Sequence, residues 1–280
     1  MTTRDPFSRR AFLNVVAAVP VAAAAAAGSH IPIGLELYSV RDQLKKDLMG
    51  TVASVAKMGY ECVEFFAPYF DWTADYAKQV RKQLDDLKIR CYSTHNDLNS
   101  LTGNGIDKGV ELNKTIGSRY LVVASPGKVT SLDGWKGLAD KLNTLNQALQ
   151  GHDLHAGYHN HVDEWKPIDG KVPMEVIAEN TDKSVMLQLD VGHCLAGGGN
   201  PVAWINSHPG RTRSLHLKDW SPKEGYRVLF GEGIAPWKEI FAAAETKGGA
   251  EFYLIEQEES DFPPMETVDR CLVAYRNMRG

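Results

Sequence analysis

Between Ile31 and Gly280, short apolar segments rich in β-branched residues alternate eight times with longer segments of helical pattern. Several apolar segments are nearly continuous hydrophobic runs, which is typical of parallel strands covered by helices on both faces. The predicted strands are Ile31–Tyr38, Cys62–Phe66, Ile89–Ser93, Tyr120–Ala124, His155–Asn160, Val185–Asp190, Ser214–Lys218 and Phe252–Glu256. The predicted helices are Asp42–Met58, Tyr76–Leu87, Ile106–Ile116, Leu132–Leu149, Met174–Glu179, Val202–Ser207, Pro236–Thr246 and Glu266–Met278.

Eight strand–helix units in about 250 residues predict an α/β fold of the (β/α)8, or TIM-barrel, class at residues 30–280. A doubly wound open sheet is the alternative, but it needs a glycine-rich phosphate loop after its first strand. The first strand here runs into Tyr38-Ser39-Val40-Arg41-Asp42, which contains no glycine. The sequence therefore favours a closed barrel.

Residues 1–29 have the layout of an export signal. The charged segment Ser8-Arg9-Arg10-Ala11-Phe12-Leu13 precedes an apolar run from Val15 to Ala27 that is mostly alanine. Paired arginines before Phe-Leu are typical of the twin-arginine signals of bacteria. A membrane anchor would need about 20 strongly apolar residues, so we expect no stable membrane span after the signal is removed. The mature protein is then periplasmic or secreted.

Charge and cysteine content exclude several classes of protein. The net charge of −4, with basic residues spread along the chain, disfavours a nucleic-acid partner. The four cysteines (Cys62, Cys91, Cys194 and Cys271) form no Cys-x-x-Cys pair, which argues against a zinc knuckle or a dense disulfide framework. A bridge between Cys62 and Cys91 would be feasible on neighbouring strands, but buried free thiols are favoured.

Side chains that can bind metals end the last four predicted strands. These strand ends are His159-Asn160-His161, Asp190-Val191-Gly192-His193, His216-Leu217-Lys218-Asp219 and Glu256-Gln257-Glu258. Each has a common structural explanation when taken alone, such as a turn aspartate or an ion-paired glutamate. In a barrel, however, the carboxyl ends of all strands meet at one mouth, where the active site lies. Carboxylates and imidazoles that converge there need a cation to offset their desolvation.

These motifs resemble those of the xylose isomerase-like barrels, the sugar phosphate isomerase/epimerase family, over Ile31 to Gly280. The segments that carry the resemblance are Asp190–His193, Leu215–Asp219, Ile255-Glu256, Gly34–Ser39, Gly59–Glu64 and Gly231-Glu232-Gly233. The resemblance implies that Asp190, His216 and Glu256 bind a metal ion and that His193 faces the substrate.

The family usually supplies a glutamate from strand five, where this chain has His159-Asn160-His161. Alternation along a strand sends both histidines to the same side. We take His159 as the metal ligand and His161 as an acid/base group facing the substrate, with the reverse assignment left open. Two imidazoles with Asp190 and Glu256 neutralise one divalent ion. Such mixed ligands favour Mn2+ or Zn2+, admit Co2+, Fe2+ or Ni2+, and suit Mg2+ less well.

Other polar residues near the mouth have weaker signals. Glu64 and His95 end strands two and three and could contact substrate. Glu164 follows strand five and could bind a substrate hydroxyl or be an exposed loop carboxylate. Lys218 could stabilise an oxyanion or form a salt bridge with Asp219 or Glu256. Trp220 could stack on a sugar ring or pack at the rim.

A metal at this mouth predicts the chemistry of a sugar isomerase or epimerase. The ion would bind the carbonyl and the adjacent hydroxyl oxygen of a keto-sugar or related hydroxy-ketone. Removal of the proton from the carbon that carries this hydroxyl would give an enediolate. Glu256, His161 and His193 are the candidates for proton transfer. Loss of a β leaving group would instead make the protein a 3-keto-glycoside lyase or dehydratase. A non-catalytic, metal-containing carbohydrate-binding barrel is the third hypothesis, and the oligomeric state stays open.

Overall fold

The computed structural model describes residues 30–280, so the predicted export signal at residues 1–29 lies outside the described residues. Residues 31–280 form one compact unit. Eight parallel strands pair in sequence order, and the last pairs with the first to close a barrel. The strands are β1 (Ile33–Glu36), β2 (Cys62–Phe65), β3 (Arg90–Asp97), β4 (Tyr120–Ser125), β5 (His155–His159), β6 (Met186–Asp190), β7 (Ser214–Leu217) and β8 (Phe252–Ile255). The predicted TIM barrel is confirmed.

Helices connect successive strands along the described chain. They are α1 (Arg41–Lys46), α2 (Leu48–Met58), α3 (Ala74–Asp86), α4 (Asn104–Ile116), α5 (Leu132–Gln150), α6 (Pro173–Asn180), α7 (Val191–Ala196), α8 (Pro201–Ser207), α9 (Trp237–Ala243) and α10 (Pro264–Arg279). Within residues 30–280, none of these helices has the length and hydropathy that a membrane span requires.

Most predicted element boundaries differ from the observed ones by one or two residues, and two predictions differ by more. The single helix Asp42–Met58 is two helices, because Asp47 has an extended backbone and its side chain accepts a hydrogen bond from the backbone N–H of Gly50. Aspartate is a good N-cap residue, and this cap starts α2. The third strand continues past Ser93 to Asp97, because its polar residues pair with β4. This extension carries His95 to the mouth of the barrel.

Strand alternation divides the core into two layers. A small cluster, made of Cys62, Tyr120, Val122, Met186, Phe252 and Leu254, fills the barrel interior. The larger cluster packs the outward faces of the strands against the helices and includes Cys91. Because Cys62 and Cys91 belong to opposite faces of the sheet, they do not pair. All four cysteines are buried free thiols, as favoured from the sequence.

The inward-facing residues of the strands show which end of the barrel carries the polar groups. In β8, Phe252 and Leu254 point inward, so the next inward residue is Glu256, just beyond the strand. The same period of two carries β6 from Met186 through Gln188 to Asp190. Apolar residues thus close the interior lower down, and polar residues continue it at the carboxyl ends of the strands.

Candidate metal centre

The structure brings the four predicted metal ligands together at the mouth. Each of His159, Asp190, His216 and Glu256 offers one ligand atom, and these atoms all lie within 4.8 Å of one another. All four side chains are buried. They come from β5, β6, β7 and the end of β8, which are neighbours in the closed sheet. We call this set the four-residue cluster.

Asp190 shows that the cluster fits a cation. Its Oδ1 atom accepts a hydrogen bond of 2.7 Å from the backbone N–H of His193 and so caps α7. Its Oδ2 atom is buried, makes no hydrogen bond and lies 3.6 Å from Nζ of Lys218. Burial raises the pKa of Asp190 to about 6, although Lys218 opposes that shift. A buried carboxylate oxygen without a donor is suited to bind a metal ion.

His216 lies between two carboxylates. Its Nδ1 atom is 2.5 Å from Oε2 of Glu256, and its Nε2 atom is 2.8 Å from Oε2 of Glu64. Burial lowers the pKa of His216, but Glu256 and Glu64 outweigh burial and raise it to about 10. The metal-free imidazole therefore holds a second proton, in the place where a cation could satisfy the same carboxylates.

Glu64, predicted to contact substrate, lies beneath the histidines. It is fully buried, accepts a short hydrogen bond from Ser93, and its Oε2 atom lies 3.0 Å from Nε2 of His95. Burial would raise its pKa, but His95 and His216 lower it overall. This carboxylate is therefore ionised. It contacts His95, His216, Ser93 and Gln188, and it is not among the residues that line the cavity at the mouth of the barrel.

His95, predicted to face the mouth and contact substrate, lies next to the cluster and could provide a further nitrogen ligand. One ligand atom from each of His95, His159 and His216 also falls within 4.8 Å of the others. The His95 ring is nearly parallel to that of His216, with ring centroids 5.0 Å apart. His95 also lines the cavity at the mouth of the barrel.

Gln188 is a residue of this centre that the sequence did not reveal. Its side-chain nitrogen donates to Oε1 of Glu64 at 3.1 Å, so its oxygen is free to accept. That oxygen lies 3.2 Å from Nδ1 of His159 and 2.8 Å from Nε2 of His95. His159 therefore donates from Nδ1 and keeps Nε2 unprotonated for a metal. Strand alternation after Met186 predicts that Gln188 faces inward. An amide side chain, however, does not by itself indicate a metal site.

Lys218 is buried within hydrogen-bonding reach of the cluster. Its Nζ atom is 3.1 Å from Oε1 of Glu256, 2.5 Å from Oε1 of Glu258 and 3.4 Å from Nε2 of His193. Burial would lower its pKa, but the carboxylates raise it well above the ordinary value. Of the two predicted ion pairs, the one with Glu256 is confirmed. Asp219 instead accepts hydrogen bonds from the backbone of its own loop and from Trp237.

A cavity of about 410 Å³ opens above the cluster, and we call it the mouth cavity. Its lining residues are Glu36, Tyr38, Phe66, Ala67, His95, Asn96, Ala124, Ser125, His159, His161, His193, Glu256 and Glu258. The predicted acid/base residues His161 and His193 both line it, and their rings are in contact, with centroids 5.2 Å apart. The His161 side chain is 46% exposed, whereas His159 is buried.

His193 is held by Tyr226, which the sequence did not single out. The Tyr226 hydroxyl lies 2.8 Å from Nδ1 of His193. Burial, reinforced by Lys218, lowers the pKa of His193 to about 2, so its imidazole is neutral. Tyr226 belongs to the long loop after β7, whose path over the mouth cannot be inferred from residue types.

Glu36 is the second carboxylate that sequence reasoning missed. It is fully buried at the end of β1 and lines the mouth cavity. Its Oε2 atom accepts from the backbone N–H of Tyr38 at 2.8 Å, and its Oε1 atom makes no hydrogen bond. Burial and the nearby Glu256 and Glu64 raise its pKa well above the ordinary value. Strand alternation could have revealed it, because Glu36 lies two residues after the inward-facing Gly34 and so on the same face of β1.

Glu164 and Trp220 lie away from the mouth cavity. Glu164 is only 2% exposed, so the alternative of an exposed loop carboxylate is wrong. It accepts a short hydrogen bond from the Tyr158 hydroxyl and one of 3.0 Å from the backbone N–H of His161, and so holds the loop that carries His161. Trp220 is partly buried after β7 and is not among the residues that line the cavity.

Comparisons with known proteins agree with this architecture. The family model described as xylose isomerase-like TIM barrel matches residues 52–272. Inosose dehydratase from Clostridium beijerinckii is 27% identical over 143 residues, which are 45% of this chain and 47% of that protein. The chain thus spans about half the length of the curated relatives it matches.

Two solved structures illustrate the likeness of fold. A sugar phosphate isomerase/epimerase from Parabacteroides distasonis is 24% identical, with a TM-score of 0.73 over 91% of this chain and 97% of that one. The IolI protein, solved with a binding zinc atom, is 16% identical, with a TM-score of 0.68 over 88% of this chain and 97% of that one. The closed barrel and the family match over residues 52–272 together establish that the chain belongs to the xylose isomerase-like TIM-barrel family.

Proposed function

We propose that this protein is a metal-dependent isomerase or epimerase that acts on a keto-sugar or a related hydroxy-ketone. One observation carries the proposal: the four-residue cluster has ligand atoms within 4.8 Å of one another, and two of its members, His159 and Glu256, line a cavity that also presents His161 and His193. The size of the cavity, about 410 Å³, is within the usual range for small-molecule sites.

The proposed cofactor is one divalent metal ion held by His159, Asp190, His216 and Glu256. When bound, it would polarise a carbonyl group and stabilise negative charge that develops on the substrate oxygens. The two imidazoles favour Mn2+ or Zn2+ over Mg2+. The zinc atom in the IolI structure supports a divalent metal in this family.

The chain's own residues supply proton transfer. Glu256 and Glu258 line the mouth cavity, and Lys218 holds both carboxylates by ion pairs. Burial raises the pKa of Glu258, which makes it a stronger base than a solvated glutamate. His161 and the neutral His193 line the same cavity and can accept or return a proton there. Two sets of proton-transferring groups at one cavity suit the exchange of a proton between two positions of a substrate.

A dehydratase or 3-keto-glycoside lyase is the second candidate. The Clostridium beijerinckii relative is named an inosose dehydratase, and this supports elimination of a β leaving group. In this reaction one base, such as the neutral His193, removes the proton next to the carbonyl, and His161 would protonate the departing oxygen.

Deuterium exchange tests the proposed function. The metal-loaded protein is incubated with a panel of keto-sugars and 3-keto-glycosides in D2O, and products are followed by NMR. We expect deuterium at the carbon beside the carbonyl, an isomer or epimer as product, and loss of both in His216→Ala. An eliminated product would favour the lyase. Tight sugar binding with no exchange on any compound would contradict both and favour the non-catalytic carbohydrate-binding barrel.

We also propose that the protein is exported through its twin-arginine segment to a periplasmic or extracellular site. The arginine pair Arg9-Arg10 and the alanine-rich run that follows support this. Replacing both arginines by lysine should retain the folded protein in the cytoplasm. Arg4→Lys, which leaves the pair intact, should be exported normally. Normal export of the double variant would contradict the proposal.

A further inference from the structure

A second cavity lies beside the mouth cavity, between the loops that follow β1 and β2. Its volume is about 720 Å³, and we call it the rim cavity. Tyr38 and Phe66 line both cavities. Their rings meet edge to face, with centroids 5.2 Å apart and planes at 89°. The two cavities therefore adjoin at Tyr38 and Phe66, and a molecule in the mouth cavity lies next to the rim cavity.

The inner surface of the rim cavity is aromatic. Phe65 and Tyr69 are buried beneath it, and Trp72 packs edge to face on both. Tyr76 continues this packing at 5.5 Å from Trp72. Because the hydroxyl of Tyr69 is hydrogen-bonded to Asn96, the cavity presents ring surfaces rather than isolated polar groups. Such surfaces bind rings that have an apolar face.

The outer edge of the rim cavity is polar and carries both signs of charge. Arg41 lies over the Tyr38 ring at 4.5 Å from its centroid, and Lys45 and Asp47 also line the cavity. Mixed charges around an aromatic floor do not select an ion of one sign. They suit a neutral ring whose hydroxyl or other polar groups reach the edge.

We propose that the rim cavity binds a second ring of the substrate, attached to the sugar that reacts in the mouth cavity. This inference rests on the proposed function, because it assigns the reacting sugar to the mouth cavity. It deepens that function by naming the substrate class: a glycoside with a second sugar ring or an aromatic aglycone, rather than a free monosaccharide. The second sugar ring and the aromatic aglycone have one property in common, a ring with an apolar face.

The test compares ligands with one ring and with two. Methyl 3-keto-β-D-glucoside, p-nitrophenyl 3-keto-β-D-glucoside and 3-keto-cellobiose are titrated into the metal-loaded full chain, and binding is followed by saturation-transfer NMR. Leu44→Trp adds bulk to the cavity wall without touching the mouth cavity. We expect this variant to bind the two-ring ligands about tenfold more weakly and the methyl glycoside unchanged. Tyr76→Ala, which removes one ring from the wall, should weaken the same ligands.

Val273→Trp is the matched control, because it adds comparable bulk at an exposed position on α10, outside both cavities. It should bind all three ligands as the parent does, and thermal melting verifies that each variant is folded. A loss for only the nitrophenyl compound assigns the cavity to an aromatic aglycone, and a loss for only 3-keto-cellobiose assigns it to a sugar ring.

Three binding results would overturn the inference: equal affinity of the parent protein for one-ring and two-ring ligands, no effect of Leu44→Trp, or no binding of any ligand. A fourth result, a parent protein that is dimeric and a Leu44→Trp variant that is monomeric, would overturn it by assigning the cavity to a second copy of the chain. Failure of the proposed function appears separately, as ring-selective binding without deuterium exchange.

Discussion

The Nε2 atom of His216 lies 2.8 Å from Oε2 of Glu64, and both side chains are fully buried. Metal-binding histidines commonly donate their other N–H to a carboxylate, which fixes the ring and raises its basicity. In this arrangement Nδ1 of His216 faces Glu256 and the rest of the four-residue cluster. We therefore expect Glu64 to act as a positioning residue, through His216.

Glu64→Gln tests this relationship. The amide keeps the shape of the side chain but removes the charge that orients His216 and His95, so we expect metal affinity to fall about 10- to 100-fold. Metal titration against a chelator of known affinity measures the change. Glu239→Gln removes an exposed carboxylate on α9 and should leave the affinity unchanged. Equal affinities in both variants would contradict the assignment.

The assignment of His159 rather than His161 as metal ligand predicts a change in metal preference. His159→Glu replaces nitrogen by oxygen in the four-residue cluster, so the affinity for Mg2+ should rise relative to that for Zn2+. His161→Ala changes an exposed side chain and should leave the metal content as in the parent protein. Loss of metal in His161→Ala, with full retention in His159→Ala, would reverse the assignment.

Asp190 caps α7, and we propose that it also binds the metal ion; substitutions can separate the two roles. Asp190→Asn and Asp190→Ala both remove the metal-binding charge, so both should purify without metal. The amide oxygen of asparagine can still cap α7, whereas alanine cannot, and loss of a cap costs about 1 kcal/mol. We therefore expect Asp190→Ala to unfold at lower denaturant concentration than Asp190→Asn. Stoichiometric metal in either variant would be inconsistent with this role.

Metal binding should release protons. The pKa of His216 is raised to about 10, so below that pH the metal-free side chain must lose a proton before it can bind an ion. Between about pH 7 and pH 9 we expect metal affinity to rise about tenfold per pH unit. Calorimetry in buffers of different ionisation enthalpy counts the released protons. An affinity independent of pH over this range would show that His216 is already neutral.

The same pKa predicts how stability depends on pH without metal. The folded value lies above the unfolded value of about 6.5, so the folded state holds the proton more tightly. This stabilisation is complete below about pH 6.5 and is lost as pH rises toward about 10. The free energy of unfolding, measured with urea on protein stripped of metal by a chelator, should therefore decline between about pH 6.5 and about pH 10. The decline should be smaller in His216→Gln.

Much of the fold and the candidate site could be predicted from local patterns. The apolar segment that ends in Glu256 predicts β8, and its period of two predicts that Glu256 faces inward with Leu254. The carboxyl ends of parallel strands meet at one mouth, so residues far apart in sequence could be assigned to one cluster. Loop residues were less predictable: Glu164 was interpreted as near the substrate but is buried against Tyr158.

By itself, the sequence determined the strand order, the inward face of each strand and the residue types that reach the mouth, because these follow from the period of a strand. Only the tertiary structure decided which groups act on one another. Closure of β1 on β8 brings Glu36 near Glu256, and the loop after β7 carries Tyr226 to His193. These contacts depend on distances across the barrel and along loops, where the chain has no fixed period and no local pattern to read.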